Sequence, residues 1–301
     1  MDIFGAVGNT PLFELKSFGD EKRGIHILAK GEFLNISGSV KDRAAKAMIL
    51  DGIERGLLTK DKILIDSTSG NTGIAYAAIA AALGIRVKLY MPGNVTLERQ
   101  RYMKALGADV ILTDIMEGID GAYSAVLREV GNDPDKYFFP DQYTNEANWK
   151  AHYNGTANEI ITQTEGRITH FAAGTGTSGT FMGCTKRLKE YNPDIRCFNM
   201  TPDSPFHGIE GVKHCTCLTR NGFFDESISD GRIEVTTETA YGTARLLALR
   251  EGLFTGISSG ANVAAAQKLA ETAPDGSVIV TILCDSGCRY MSGRLWGDTN
   301  A

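Results

Sequence analysis

Lys41 stands in the run Gly38-Ser39-Val40-Lys41-Asp42-Arg43, and Ala44, Ala45, Met48 and Ile49 carry the pattern on with helical spacing. Ser39 reads as the N-cap, which puts Lys41 in the first helical turn. The positive end of the helix dipole disfavours an ammonium there. A lysine so placed suits a side chain that must give up its proton and form an imine. On local features alone it also reads as a solvated cation paired with Asp42.

Three glycine-bearing turns each precede a helix pattern. The first is Ser67-Thr68-Ser69-Gly70-Asn71-Thr72-Gly73. Helix-start N–H groups, hydroxyl donors and a glycine make an anion cradle sized for a carboxylate or phosphate. Capping by Thr68 or Ser69 is the plainer reading. The second, Gly174-Thr175-Gly176-Thr177-Ser178-Gly179, fits G-x-G-x-x-G, and Asp203 follows the next strand where a ribose-binding acid would stand. Its three hydroxyl residues suit a terminal phosphate better than a pyrophosphate, and no Gly-Lys-Ser/Thr ending marks a nucleoside-triphosphate loop. The third, Gly256-Ile257-Ser258-Ser259-Gly260, opens an alanine-rich helix over 261–270, where close helix packing is the alternative. An imine lysine, a phosphate cup, a carboxylate cradle and a small hydroxyl turn together describe a pyridoxal phosphate (PLP) enzyme acting on amino acids.

The elements that position these residues alternate along the chain. Segments 63–66, 86–91, 168–173, 195–200 and 278–284 read as strands, and 71–83 and 180–191 as helices. Nearly continuous apolar strands between helices predict parallel sheets covered on both faces, an α/β fold. Units 63–91 and 168–200 share one plan of strand, glycine turn, helix and strand, which predicts two α/β halves. Segment 201–231 has many turn formers and reads as a long irregular loop facing substrate.

Composition excludes several classes. Glycine supplies 34 of 301 residues, above the usual share of roughly 7%. There are 8 prolines and no three-residue period, so the surplus is not collagen-like. A net charge of −5 without a basic run argues against nucleic acid. No long apolar stretch suggests a membrane span. The opening Met1-Asp2-Ile3-Phe4-Gly5 lacks signal-peptide character, so a cytoplasmic enzyme is expected. Cys184, Cys197, Cys215, Cys217, Cys284 and Cys288 are expected reduced, and their spacing suits no zinc site, so no metal is expected.

In order along the chain, the motifs resemble those of the cysteine synthase (O-acetylserine sulfhydrylase) family. They are Gly8-Asn9-Thr10-Pro11-Leu12, Ser39–Arg43, Thr68–Gly73, the 174–179 loop, Gly256–Gly260 and Asp285-Ser286-Gly287-Cys288-Arg289-Tyr290. The resemblance covers nearly the whole chain. It implies fold type II, the tryptophan synthase β-like class of PLP enzymes, with two open twisted α/β domains and the cofactor in the cleft between them. It also implies a smaller, mobile domain over 38–145 that carries the substrate loop. The larger, phosphate-binding domain would be 1–37 plus 146–301. At 301 residues the chain is expected to hold that catalytic core without haem or regulatory segments.

The same resemblance implies roles. Lys41 would carry PLP as an imine and later move the substrate's Cα proton. Asn71 would hydrogen-bond the ring oxygen. Gly174, Thr175, Gly176 and Thr177, with Ser178, Gly179 and Thr180, would hold the phosphate. Ser258 would face the pyridine nitrogen, and Asp285 would complete the cofactor set. Thr68, Ser69, Gly70, Thr72 and Gln142 would bind the substrate's α-carboxylate. A neutral hydroxyl at Ser258 makes the ring a shallower electron sink than an aspartate would, which favours β-elimination and replacement over transamination.

The implied reaction makes L-cysteine from O-acetylserine or O-phosphoserine, with sulfide or a thiocarboxylated carrier protein as sulfur donor, in a homodimer. Departures are Cys288 where an acid is usual, and Glu146 and Asn158 where proline is usual. Segments 202–214 and 290–296 resemble a branch that uses a ubiquitin-like sulfur carrier and O-phosphoserine, where Lys213 or His207 would face the phosphate. The same fold also hosts cysteine desulfhydrase, cystathionine β-synthase and diaminopropionate synthase. A rival from another class is an NAD-binding dehydrogenase using the 174–179 loop, which leaves Lys41 and the Asn71 turn without a task. Borohydride reduction followed by peptide mapping is expected to leave the cofactor's mass on Lys41. A colourless protein that takes up no PLP would return the dehydrogenase reading.

Overall fold

Short aliphatic runs form the strands and alanine-rich runs form the helices that cover them. The computed structural model describes residues 2–218 and 222–297. The strands are β1 (Leu12–Glu14), β2 (His26–Gly31), β3 (Ile63–Ser67), β4 (Arg86–Pro92), β5 (Asp109–Thr113), β6 (Tyr137–Phe138), β7 (His170–Gly174), β8 (Arg196–Pro202), β9 (Gly231–Val235) and β10 (Val278–Leu283). The main helices are α1 (Lys41–Glu54), α2 (Asn71–Leu83), α3 (Leu97–Ala105), α4 (Gly118–Asn132), α5 (Glu146–Ala151), α6 (Ala157–Gln163), α7 (Gly179–Tyr191), α8 (Thr237–Glu251) and α9 (Ile257–Thr272).

The chain divides into two compact units, Met1–Val7 with Asn35–Asn148, and Gly8–Leu34 with Trp149–Ala301. The expected partition was 38–145 against 1–37 plus 146–301, whose end-points 1 and 301 lie outside the described residues. Side-chain contacts account for the difference. Phe4 and Ala147 pack on the first unit's core, and Lys46 Nζ donates to the Phe4 carbonyl at 2.8 Å. Ser37 donates its backbone N–H to the Asp42 carboxylate at 2.6 Å.

The first unit holds a parallel sheet in the order β5-β4-β3-β6. Met48 and Ile49 of α1 and Ile74, Tyr76 and Ile79 of α2 cover it together with Leu64 and Leu89. The second unit holds the order β1-β2-β10-β7-β8-β9, with β1 antiparallel and the rest parallel. All six residues of β10 are buried, as a strand covered on both faces requires. Within each unit a glycine turn links a strand to the helix that follows, β3 to α2 and β7 to α7.

Some boundaries differ from the sequence reading. Strand β7 starts at His170, and β8 runs on to Pro202, where a proline at a strand end removes no needed donor. Helix α9 starts at Ile257 instead of 261, because Gly256 is its extended N-cap, so Ser258 lies inside the first turn. Gly260 admits α8 closely: a Cβ there would lie 2.1 Å from the Ala240 carbonyl.

Glu129 ties α4 to the first sheet. Its carboxylate accepts hydrogen bonds from Lys88 Nζ at 2.7 Å and from the hydroxyls of Tyr90 and Tyr137. Burial opposes its charge, but the bonds from Lys88, Tyr137 and Tyr90 outweigh it and hold the carboxyl down at about 2. A depressed carboxyl stabilises the fold above its unfolded range and loses that contribution as pH falls through the folded value. Glu129→Gln is expected to lower stability by about 1–3 kcal/mol at neutral pH. Thermal melts at stepped pH should show the gap to the parent narrowing below pH 4.5; a constant gap would contradict this.

Candidate active site

In the first unit, Lys41 opens α1 and is half-buried. Ser39 is not the N-cap. Val40 already has helical angles and takes that position, while Ser39 Oγ accepts the Lys41 N–H from one residue further back at 3.3 Å. Asp42 is buried, and Ser37 gives it both its N–H and its hydroxyl.

The turn before α2 is closed by its own threonine. Thr68 Oγ1 accepts the N–H groups of Gly70 at 2.9 Å and Gly73 at 3.1 Å. Gly70 sits at φ 150°, ψ −78°, a conformation other residues rarely adopt. A Cβ there would also lie 2.7 Å from Arg99 Cδ. Arg99 Nη1 in turn donates to the Ser69 carbonyl at 3.2 Å. Ser69 is exposed, Asn71 half-buried, and Thr72 buried.

Gln142 is distant in sequence but meets this turn. It accepts the Thr72 hydroxyl at 2.8 Å and donates to the Ser67 carbonyl at 3.0 Å. Asn148 fixes Gln142 by donating to its carbonyl at 2.7 Å. The substrate set named from the sequence, Thr68, Ser69, Gly70, Thr72 and Gln142, is therefore contiguous. A 13-residue helix start with an exposed hydroxyl beside it can hold a small anion.

In the second unit, Gly174 ends β7, Ser178 takes the left-handed φ of 75°, and α7 follows from Gly179. Thr175 is fully buried, and among the described residues its hydroxyl has no partner. A Cβ on Gly176 would lie 2.3 Å from the Gly211 carbonyl. The Lys213 N–H donates to the Thr175 carbonyl at 2.8 Å, so segment 211–213 backs the loop. His207 accepts the Ile209 N–H at Nδ1, 3.1 Å away. Thr180 Oγ1 is 3.3 Å from His152 Nε2, and His152 Nδ1 is 2.9 Å from Thr156 Oγ1.

Ser258 is buried in the first turn of α9. Asp285 accepts the Tyr290 hydroxyl at 2.8 Å, and its own carbonyl accepts the Gly256 N–H at 3.0 Å. Its place is thus beside the start of α9, which it braces. Asn262 joins the two turns of this unit. Its Oδ1 accepts the Gly174 N–H at 2.8 Å and its Nδ2 donates to the Ile282 carbonyl at 2.8 Å. The buried Thr175 hydroxyl, without a partner among the described residues, and the start of α7 fit a phosphate.

Three residues here escaped the sequence reading: Arg99, His152 and Asn262. Asn262 carried a signal, since a polar side chain inside an alanine-rich helix must find buried partners. None of the six cysteines, all of them among the described residues, forms a disulfide; Cys184 and Cys197 are buried and Cys217 and Cys288 exposed. Asn158, where proline was expected, accepts the Arg187 Nε–H at 2.8 Å. Asn262→Ala is expected to lower stability by about 1–3 kcal/mol in urea unfolding, because the Gly174 N–H and Ile282 carbonyl lose their partner.

The chain matches the family model for pyridoxal-phosphate dependent enzymes over residues 3–285. It is 50% identical to a cysteine synthase of Aquifex aeolicus, over 98% of this chain and 92% of that protein. A cysteine synthase of Entamoeba histolytica has a similar structure, with TM-score 0.92, 36% identity, and coverage of 98% of this chain and 90% of that one. An O-ureido-L-serine synthase superposes with TM-score 0.93 at 34% identity, over 99% and 96% of the two chains. The family match assigns the 174–179 loop to a PLP enzyme, so the dehydrogenase reading falls. No helix among the described residues is long and apolar enough to cross a membrane. The chain belongs to the pyridoxal-phosphate dependent enzymes of fold type II, among relatives that are cysteine synthases.

Proposed function

We propose that the protein makes L-cysteine by β-replacement, from O-acetylserine as the acceptor and sulfide as the sulfur donor. The observation that carries this reading is 50% identity to a cysteine synthase across nearly the whole chain. The hydrogen-bonded carboxylate turn supports it.

Bound PLP supplies an electron sink for the bonds at the substrate's Cα. Lys41 is the residue that would hold the cofactor, and its amine would take the Cα proton and later return one. Ser69 and the N–H groups at the start of α2, that of Thr72 among them, would grip the α-carboxylate, while the Thr72 hydroxyl donates to Gln142 and fixes the turn. Asn71 would hydrogen-bond the cofactor's ring oxygen. Gly174 to Thr180 would bind the phosphate, with the Thr175 hydroxyl as one donor. Ser258 would hydrogen-bond the ring nitrogen without charging it, which favours departure of the β-substituent over transamination. A cytoplasmic homodimer goes with this reading. O-phosphoserine and a ubiquitin-like thiocarboxylate carrier are the alternative substrates.

Purified holoenzyme given O-acetylserine and sulfide is expected to release L-cysteine, measured by acid ninhydrin. Lys41→Ala should lower kcat by about 10²–10⁴-fold. Faster turnover of O-phosphoserine or serine would reassign the acceptor, and full activity in Lys41→Ala would contradict the mechanism.

A further inference from the structure

Asp66 lies next to the end of β3, immediately before Ser67 and the carboxylate turn. It is 1% exposed. Its Oδ1 accepts the Ser67 N–H at 2.7 Å. Its Oδ2 is buried without a hydrogen-bond partner among the described residues, and so is the neighbouring Ser67 hydroxyl. Tyr76 of α2 is fully buried and faces the carboxyl from one side; the Tyr76 hydroxyl stands 3.7 Å from Met48 Sδ of α1. Asp141, next to Gln142 in the chain, adds a negative charge on the approach from the segment after β6.

Among the described residues, the titratable groups that act on the Asp66 carboxyl are Tyr76 and Asp141, neither of them a cation. A buried carboxylate with such neighbours is unfavourable. Burial, with the charge of Asp141 added, pushes the carboxyl up to about 8 against the lowering effect of the Ser67 N–H and of the nearby Tyr76 hydroxyl. The group is mostly uncharged at neutral pH and ionises just above it.

Its position gives that proton a consequence. Ser67 offers its N–H to Asp66 and its carbonyl to Gln142, and Gln142 accepts the Thr72 hydroxyl. One residue thus couples the carboxyl to the side chains that would orient the substrate.

We propose that Asp66 is a positioning residue for the turn 67–72: protonated, it leaves the turn's donors to the amino acid's α-carboxylate, and ionised, it repels that carboxylate and draws the Ser67 hydroxyl to itself. This inference rests on the proposed role of the turn in binding the α-carboxylate.

The test is the affinity of the holoenzyme for L-alanine, which has no β leaving group, followed by cofactor absorbance between pH 6.5 and 9. Asp66→Asn keeps the shape and removes the charge. Between the ends of that range, the parent's Kd should rise by about fivefold more than the variant's, the low end of a typical coupling. Parallel curves would overturn the proposal, because a merely structural role for Asp66 moves stability and leaves the pH profile alone. Should Asp66→Asn fail to fold, the ¹³C resonance of the Asp66 carboxyl in the parent protein replaces it. Its titration midpoint near 8 should move upward when L-alanine is added, and an unmoved midpoint would overturn the proposal. Ser69→Ala separates this from the underlying reading. Loss of L-alanine affinity at every pH supports the carboxylate turn, whereas parent-like affinity sinks that reading and the Asp66 proposal with it.

Discussion

Backbone N–H groups at a helix start have no partner inside the helix, and a site built on them works only if the turn is held still. Each unit meets that constraint with a buried amide side chain. Gln142 bridges Thr72 and the Ser67 carbonyl at the start of α2. Asn262 bridges the Gly174 N–H and the Ile282 carbonyl beside the start of α7. An amide suits this task because it donates and accepts at once, so it satisfies two buried backbone or hydroxyl groups of opposite kind. Without them the turns would carry buried polar groups with no partner, at about 1–3 kcal/mol each.

The glycines then decide what can approach. Gly70 holds a backbone conformation that brings Arg99 against the turn, and Gly176 lets the loop lie on the Gly211 carbonyl. Gly256 admits the Asp285 carboxylate, whose Oδ1 would be 2.2 Å from a Cβ there. Much of the glycine surplus thus sits where a strand turns into a helix and a second segment, by side chain or backbone, approaches closely. Hydroxyl residues fill the same turns, and their functions divide. Thr68 is spent on capping, Thr72 is committed to Gln142, and the Thr175 hydroxyl has no protein partner among the described residues.

What could be read in the sequence depended on how local its cause was. Helix α2 follows from an alanine-rich run bounded by Gly70 and Gly84, and its range agrees with the sequence reading residue for residue. Ser258 was placed in the right turn, although the helix starts sooner, because a glycine N-cap leaves no side-chain signature. Ser39 has the residue type of a cap, yet Val40 takes the position because it adopts helical angles that no propensity announces. The residues that were missed act over distance. Arg99 reaches back 30 positions to Ser69, and Asn262 reaches back 88 to Gly174. Such pairings arise from sheet order, and sheet order is not written in any local stretch. Gln142 was named through family resemblance alone, and its bond to Thr72 spans 70 positions.

The central assignment gives the two turns different anions: the amino acid's carboxylate at 67–72 and the cofactor's phosphate at 174–180. A crystal structure of the holoenzyme grown with L-alanine tests it most directly. The expected result is a phosphate hydrogen-bonded by the turn after β7, including the Thr175 hydroxyl, and an α-carboxylate on the Ser69 hydroxyl and the Thr72 N–H. A phosphate seated on the turn after β3, or a carboxylate on the turn after β7, would contradict it.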